Sequence, residues 1–307
     1  MPEFYTQHPG AVVSFAVNHY IYVGVNEKFD GQTRVSYSKT ETVDNPEQLE
    51  HDLVRETLLH FGLRGLEITS ISDIPGEGSG LGSSSAFTVG LIVALTRYMD
   101  GDLNVHPSVF ANLSYDIERV KCKHPVGKQD HFATAHGGLH YYQFNTDGTV
   151  NAELIRLTPA LRYWLESSVM LFWTGQTRKA NVILKQQAFG FSEEKNLNFG
   201  KYLVEYAQEA RNLLEDENFD NLGPMLDAAW TYKKGLAGVS NDWIDHIYAR
   251  AKGAGAEGGK ICGAGGGGFL MLVADPKVQR AVEDAVGLKR VHFKVEERGS
   301  HVVYGDR

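Results

Sequence analysis

A glycine- and serine-rich segment, PGEGSGLGSSS (Pro75 to Ser85), has the residue types of a phosphate-binding loop. Its four glycines allow positive φ angles and close approach to a ligand. Its serines stand where a long helix is predicted to begin, and a helix N-terminus presents unpaired N–H groups and partial positive charge. We therefore predict that phosphate oxygens bind here, with the serine hydroxyls as further donors or as a magnesium ligand. A flexible loop before a capped core helix is the alternative.

Two carboxylates follow this segment along the chain. Glu118 stands near the end of a predicted helix, Pro107 to about Val120, and Asp130 lies in a predicted loop, Lys121 to His131. Phosphoryl transfer needs a carboxylate that helps to hold magnesium, and often a second one that orients or deprotonates the attacking hydroxyl. Glu118 and Asp130 could divide these roles, although carboxylates at this spacing are also common as solvated surface charges.

A second glycine run, GGKICGAGGGG (Gly258 to Gly268), contains the spacing GxGxxG. The dinucleotide-binding fingerprint needs a helix after the glycines, whereas an apolar strand, Phe269 to Val273, is predicted here. We therefore expect a tight turn that allows close backbone approach to a ligand or to a neighbouring element. A nicotinamide-dependent oxidoreductase is the competing hypothesis, and it requires a helix after Gly268.

Other candidate ligand-binding side chains are more isolated. Arg178, in TGQTRKA, could pair with a substrate phosphate, because a guanidinium matches phosphate in a bidentate geometry, or it could be a surface arginine. The pattern disfavours a metal site in the histidine cluster, because Gly137 and Gly138 break the helix that would place two of its members on one face. The cluster consists of His124, His131, His136 and His140.

Composition limits the possible partners and the cellular compartment. The 307 residues carry a formal net charge of −8, which provides no general attraction for nucleic acid or an anionic membrane surface. The only cysteines, Cys122 and Cys262, are far apart and favour a reducing cytoplasm over a disulfide scaffold. No basic, apolar leader or membrane-spanning stretch is evident. We expect a cytoplasmic protein without nucleic-acid or membrane partners, and a homo-oligomer remains possible.

The order of predicted elements indicates two α+β domains, residues 1–160 and 161–307. In the first domain, strands precede an amphipathic helix that starts at Pro46 and is closed by Gly62, and the glycine-serine segment leads into a buried helix, Ser84 to Met99. In the second domain, the strand Val169 to Trp173 precedes several helices and the second glycine run. A helix, Lys277 to Val286, and two strands, Arg290 to Glu296 and Ser300 to Tyr304, complete the prediction.

Three segments, PGEGSGLGSSSA, GKQD and KICGAGGGG, resemble in this order the second motif, the catalytic-aspartate segment and the third motif of the GHMP small-molecule kinases. RVSYSKTE, HPVGKQDHFATAHGGL and FWTGQTRKA resemble the D-glycero-D-manno-heptose 7-phosphate kinase branch. The resemblance implies an α+β fold, with a ribosomal S5 domain 2-like N-terminal domain and a ferredoxin-like C-terminal domain.

The resemblance also implies a magnesium- and ATP-dependent kinase that phosphorylates the anomeric hydroxyl of a sugar phosphate. In the heptose branch, that product is the 1,7-bisphosphate. Kinases for a fucose- or galactose-like sugar, and a non-catalytic sensor of nucleotide or sugar phosphate on the same fold, are the alternatives.

The same resemblance assigns roles to particular residues. Asp130 would activate the sugar hydroxyl, and Ser84 and Glu118 would coordinate Mg²⁺. Four residues are assigned to the substrate: Lys128, Arg178, Gly265 and Gly266. The residues expected to hold the ATP phosphates are Gly78, Ser79, Gly80, Leu81, Gly82, Ser83, Ser84 and Ser85. Members of the branch normally carry a further segment like RxSxxGGGTD ahead of the position of MPEF, so we expect that the first strand and motif are lacking or lie upstream of Met1.

Overall fold

The computed structural model describes residues 1–76, 78–176, 180–191, 194–236 and 238–305. The chain divides into two units that are built from interleaved segments. The first unit contains Met1–Asn18, Glu77–Leu81 and Gly138–Glu297, and the second contains His19–Gly76, Gly82–Gly137 and Arg298–Arg307. The predicted domain boundary between residues 160 and 161 is a different division of the chain and stays a prediction.

Helices and strands alternate irregularly along the chain. The α-helices are α1 (Pro2–Tyr5), α2 (Asp52–Phe61), α3 (Ser83–Tyr98), α4 (Pro107–Tyr115), α5 (Gln129–His136), α6 (Pro159–Ser168), α7 (Ala180–Gly190), α8 (Glu194–Glu215), α9 (Leu222–Lys233), α10 (Asp242–Gly253) and α11 (Gln279–Val286). The strands are β1 (Gly10–Phe15), β2 (Ile21–Glu27), β3 (Thr33–Ser36), β4 (Thr40–Val43), β5 (Leu66–Ser72), β6 (Leu139–Phe144), β7 (Val150–Leu154), β8 (Val169–Trp173), β9 (Gly258–Ile261), β10 (Phe269–Val273) and β11 (Lys289–Val291). Short 3₁₀ helices, Pro46–Gln48 and Phe219–Asn221, and a π-helical segment, Asp116–Lys121, complete the regular structure of the described residues.

The second unit is built on a four-stranded sheet in the order β2-β5-β3-β4. Strands β3 and β5 run parallel, and the other neighbouring strands are antiparallel. Alternate residues of β2 turn their apolar side chains to the core, as the period of a half-buried strand requires. This core joins the sheet to α2 and α3 and consists of Val35, Leu49, Leu53, Val54, Leu58, Leu66, Ile68, Phe87, Leu91 and Leu95.

The helix predicted to start at Pro46 begins six residues later, at Asp52. Asn45 and Gln48 form a reciprocal capping box, but this box caps only the 3₁₀ turn Pro46–Gln48. Leu49 then takes an extended conformation with ψ of 134°, which interrupts the helical hydrogen bonding. The predicted end is confirmed, because Gly62 closes α2 in the left-handed conformation with φ of +67°.

The predicted buried helix after the glycine-serine segment is confirmed as α3. Its apolar residues surround the helix because α3 packs against β2, α2, α4 and α5. Extensive packing fixes the direction of α3, and with it the position of the serines in its first turn.

The first unit contains two antiparallel sheets, β1-β6-β7 and β11-β8-β10-β9. In the larger sheet, β10 lies between β8 and β9 and runs antiparallel to both. Strand β8, helices, β9, β10, α11 and β11 follow each other in the βαββαβ order of a ferredoxin-like domain. The predicted α+β class is therefore confirmed in both units.

The predicted strand Ser300 to Tyr304 is wrong, because these residues form no strand in the structure. Val303 and Tyr304 are exposed, and among the described residues no strand pairs with this segment, so its apolar side chains lack the cross-strand packing that favours a strand. The preceding predicted strand is reduced to β11, followed by an isolated bridge between Val295 and Val17. In the part of the chain that the structure describes, none of the helices is long and apolar enough to cross a membrane.

Candidate active site

The N-terminal end of α3 lies beside a buried carboxylate. The Ser84 hydroxyl, in the first turn of α3, donates a hydrogen bond of 2.6 Å to Oε1 of Glu118. Ser84 is exposed, whereas Glu118 is only 2% exposed. The two residues predicted to coordinate Mg²⁺ are therefore in direct contact. An exposed hydroxyl lies next to a buried carboxylate.

Glu118 is positioned by the π-helical segment that continues α4. The N–H of Cys122 donates to the carbonyl of Ile117, five residues earlier, at 2.9 Å. A π-helical turn holds one more residue than an α-helical turn, and such turns are frequent at functional sites. Ile117 and Glu118 are buried while Asp116 is exposed, so this turn directs the Glu118 side chain inward.

Two histidines face the Glu118 carboxylate from different sides. Nδ1 of His124 lies 3.5 Å from Oε1, and Nε2 of His131 lies 3.6 Å from Oε2. The other ring nitrogen of His124 lies 2.8 Å from Oδ2 of Asp52. The other ring nitrogen of His131 lies 2.8 Å from the Ser114 hydroxyl. Both imidazoles are therefore fixed by a second partner.

Burial and these contacts set the charges around Glu118. Hydrogen bonds to Asp52 and Glu118 raise the pKa of His124 to about 9, against the effect of burial, so His124 is an imidazolium at neutral pH. Complete burial lowers the pKa of His131 to about 4, although Glu118 opposes this, and His131 is neutral. Burial acts to raise the pKa of Glu118, but the hydrogen bond and charge of His124, together with the Ser84 hydrogen bond, lower it below its ordinary value. The carboxylate is therefore ionised, with His124 as its countercharge.

Asp130 lies in the first turn of α5, so its placement in a loop was wrong. Pro125 and Gly127 both precede the first residue of α5, where they do not disturb a helix. The Asp130 side chain packs against Gly82, the N-cap of α3, since a Cβ on Gly82 would lie 3.1 Å from Cβ of Asp130. Asp130 therefore lies at the same end of α3 as the contact between Ser84 and Glu118.

In the first unit, the centre of the predicted phosphate loop packs against the second glycine run. The Ser79 carbonyl accepts a hydrogen bond of 3.0 Å from the N–H of Phe269. A Cβ on Gly80 would lie 2.7 Å from the carbonyl oxygen of Cys262, and a Cβ on Gly263 would lie 2.8 Å from Cα of Gly80. Only glycine permits two backbones to approach so closely. The glycine run thus serves close approach to a neighbouring element, one of the two uses that its sequence predicted.

The strand predicted after Gly268 is confirmed, because β10 begins at Phe269. A dinucleotide-binding fingerprint would place its glycines between a strand and a helix whose N-terminus receives the pyrophosphate. The hypothesis of a nicotinamide-dependent oxidoreductase is therefore wrong.

The residues assigned to the substrate lie in different local settings. The Lys128 ammonium is 5.1 Å from the centroid of the Tyr115 ring, a cation–π distance. Gly266 donates its N–H to the Val239 carbonyl at 2.8 Å, and a Cβ on Gly265 would lie 2.6 Å from the same oxygen. Arg178 lies outside the described residues. The assignment of all four residues to the substrate stays a prediction.

Sequence reasoning missed Asp52 and Ser114. Asp52 stands 72 positions before His124, and no local pattern connects them. Ser114 precedes Glu118 by four positions, a spacing that can place two helical residues on one face and could have drawn attention to it. His131 was considered as a metal ligand, whereas the structure makes it a neighbour of Glu118. The described residues contain no group of three or more His, Cys, Asp or Glu side chains arranged to hold a metal ion.

The contact between Ser84 and Glu118 nevertheless suits Mg²⁺. This ion prefers oxygen ligands and is usually bound through one or two carboxylates together with waters and substrate phosphates. Among the described residues, Oε2 of Glu118 is buried without a hydrogen-bond partner. A buried carboxylate oxygen in this condition is costly unless a donor or a cation satisfies it. An ionised carboxylate with a hydroxyl beside it therefore fits a hard divalent cation.

Phosphotransferases use a glycine-rich loop, a serine and a carboxylate at a helix N-terminus, and an aspartate close to them. The described residues include all of these features. Two family models match the chain: the GHMP kinases N terminal domain over residues 50–138, and the GHMP kinases C terminal domain over residues 210–290. The chain belongs to the GHMP kinase family, whose members use ATP as phosphate donor, and it is a kinase.

Named relatives and a solved structure agree with this placement. D-glycero-alpha-D-manno-heptose 7-phosphate kinase of Campylobacter jejuni is 28% identical over 284 residues, covering 88% of this chain and 83% of that protein. Mevalonate kinase of Saccharolobus solfataricus is 26% identical over 243 residues, covering 79% of this chain and 71% of that protein. The crystal structure of a D-glycero-D-manno-heptose 1-phosphate kinase from Bacteroides thetaiotaomicron matches with a TM-score of 0.72 at 24% identity, over 97% of this chain and 92% of that chain. The predicted family and fold class are thus confirmed.

Proposed function

We propose that this chain transfers the γ-phosphoryl group of ATP to the anomeric hydroxyl of a sugar phosphate, D-glycero-D-manno-heptose 7-phosphate, and forms the 1,7-bisphosphate in the cytoplasm. The hydrogen bond between Ser84 and the buried Glu118, at the same helix end as Asp130, carries the proposal. The similarity to the heptose kinase of Campylobacter jejuni supports the choice of acceptor.

In this reaction, Ser84 and Glu118 would hold Mg²⁺. Mg²⁺ held there would supply positive charge against the phosphates of ATP. The residues from Gly78 to Ser85 would surround these phosphates, and the N–H groups of the first turn of α3 would donate to their oxygens. Gly82 brings no side chain to the N-cap of α3, and this helix end has no side-chain cap.

Asp130 would accept the proton of the anomeric hydroxyl while the hydroxyl oxygen forms a bond to the γ-phosphorus. The bond between this phosphorus and the bridging oxygen breaks, so the products are ADP and the sugar 1-phosphate ester. Lys128, Arg178, Gly265 and Gly266 would contact the acceptor. A cation and a planar guanidinium suit the second phosphate of a heptose 7-phosphate.

The test is release of ADP with a panel of acceptors: heptose 7-phosphate, heptose 1-phosphate, fucose, galactose and mevalonate. We expect the highest kcat/KM with heptose 7-phosphate. Asp130→Asn should lower kcat by roughly 10²–10⁴-fold, since the amide cannot accept the proton, while ATP binding is retained.

Asp116→Asn is the matched control, because Asp116 is an exposed carboxylate two positions before Glu118. It should leave kcat within about twofold, as expected of a surface substitution. Full turnover by Asp130→Asn would remove Asp130 from its role. A higher kcat/KM with another member of the panel would contradict the choice of acceptor.

A further inference from the structure

His124 has no part in the proposed chemistry, yet it is attached to Glu118 at two points. Its backbone N–H donates to the Glu118 carbonyl at 3.0 Å, and its Nδ1 lies 3.5 Å from Oε1. On the opposite side of the ring, Nε2 lies 2.8 Å from Oδ2 of Asp52, the first residue of α2. The imidazole therefore spans two carboxylates, one on α2 and one in the π-helical segment.

The backbone before His124 is shaped for this contact. After the π-helical segment, Lys123 takes the left-handed conformation with φ of +59°, which is unusual for a residue with a side chain. Such conformations persist where the surrounding structure imposes them, and they cluster at functional sites. After this residue, the N–H of His124 donates to the Glu118 carbonyl, so the conformation of Lys123 brings His124 back to Glu118.

His131 closes the other side of the carboxylate. It is completely buried, and its Nδ1 is fixed by the Ser114 hydroxyl. Because its Nε2 faces Oε2 of Glu118, the tautomer with the proton on Nε2 suits this position, and Ser114 then donates to Nδ1. Glu118 thus has an imidazole beside each of its two oxygens.

We propose that His124, held by Asp52, is a positioning residue that fixes the Glu118 carboxylate in the orientation in which Oε1 meets the Ser84 hydroxyl. It thereby sets the affinity for the divalent cation of the nucleotide complex. Residues that orient a ligating carboxylate commonly change metal affinity by about 10–100-fold when they are lost. The inference rests on the proposed function of Ser84 and Glu118 as cation ligands.

A purely structural ion pair between α2 and the segment after α4 is the competing explanation. Loss of such a pair would lower the melting temperature and leave cation affinity unchanged. Mn²⁺ can replace Mg²⁺ as the probe, because the electron paramagnetic resonance signal of free Mn²⁺ reports its binding in the presence of a non-hydrolysable ATP analogue. This measurement needs no turnover.

In the full chain, His124→Ala should weaken Mn²⁺ binding by about 10-fold, the lower end of what loss of an orienting partner causes. Binding of the ATP analogue in the presence of EDTA should remain within about twofold, since His124 acts through the cation ligand. His60→Ala is the control, because His60 is exposed in the last turn of α2 in the same unit, and it should change neither quantity.

Asp52→Asn should also weaken Mn²⁺ binding, and in the His124→Ala background it should add no further loss, because Asp52 acts through His124. Should His124→Ala fail to fold, His124→Gln and Asp52→Asn replace it, since both keep polar groups at these positions. Unchanged Mn²⁺ affinity in the folded variants, or an independent loss from Asp52→Asn, overturns the positioning role. Failure of the wild-type chain to bind Mn²⁺ with the analogue would instead contradict the proposed function itself.

Discussion

Two regions of the molecule, the N-terminal end of α3 and the contact between Gly80 and Gly263, depend on opposite properties of their residues. At the N-terminal end of α3, in the second unit, the side chains of Ser84, Glu118 and Asp130 are brought together, and burial and charge decide what they can do. At the contact between Gly80 and Gly263, in the first unit, the decisive feature is that no side chain is present. Substitution at the first region should therefore remove chemistry and spare the fold, whereas substitution at the second should damage local structure.

The largest effect should come from Glu118→Gln. The substitution keeps the shape but removes the charge that suits a divalent cation, so kcat at fixed Mg²⁺ should fall by at least about 10²-fold, as is typical when a preorganised electrostatic partner is lost. The melting temperature should change little, because glutamine can still accept the Ser84 hydrogen bond. Steady-state kinetics with calorimetry would measure both quantities. If Glu118→Gln loses most of its stability but little activity, the contrast between the regions is wrong.

A smaller effect, expressed in stability, is expected from Gly80→Ala and Gly263→Ala. Each adds a Cβ that overlaps the opposing backbone at positive φ, so the free energy of unfolding should fall by about 2–4 kcal/mol. The double variant should lose less than the sum of the single losses, because both substitutions disturb one contact.

Gly287→Ala is the matched control for these glycines. Gly287 has a similar φ of +68°, but a Cβ there would meet nothing within 4 Å. Its loss should be only the left-handed backbone cost of about 1 kcal/mol. Equal losses at Gly80, Gly263 and Gly287 in urea titrations would show that φ, and not the close approach, explains the glycines at the contact between Gly80 and Gly263.

The smallest effect is expected from Lys123→Gly, in the second unit. Lys123 is exposed and has φ of +59°, so glycine should relieve strain and raise the free energy of unfolding by about 1 kcal/mol or less. Lys121→Gly is the control, since Lys121 is exposed within the π-helical segment and glycine there should lower stability by roughly 0.5–1 kcal/mol. A higher free energy of unfolding for Lys123→Gly and a lower one for Lys121→Gly in denaturant titrations would show that the backbone at Lys123 is strained. A loss of stability in both variants would contradict this strain.

Several features could be predicted because their causes are local in the sequence. The apolar residues around α3, Gly62 at the end of α2 and the strand after Gly268 follow from side-chain periodicity and from the conformational freedom of glycine. Errors arose where local patterns competed with tertiary contacts. The capping box of Asn45 caps only a 3₁₀ turn, so α2 begins at Asp52 and not at Pro46. The apolar residues between Ser300 and Tyr304 pair with no strand among the described residues.

The sequence by itself determined the order of the motifs and the family, because glycine spacing and the serine-rich helix start are properties of short, contiguous segments. Tertiary structure alone decided which groups surround Glu118. Asp52 and His124 meet across 72 positions, and the burial that keeps His131 neutral comes from elements distant along the chain. Charge and pKa depend on neighbours in space, and those neighbours exist only once α2, α3, α4 and α5 have packed together.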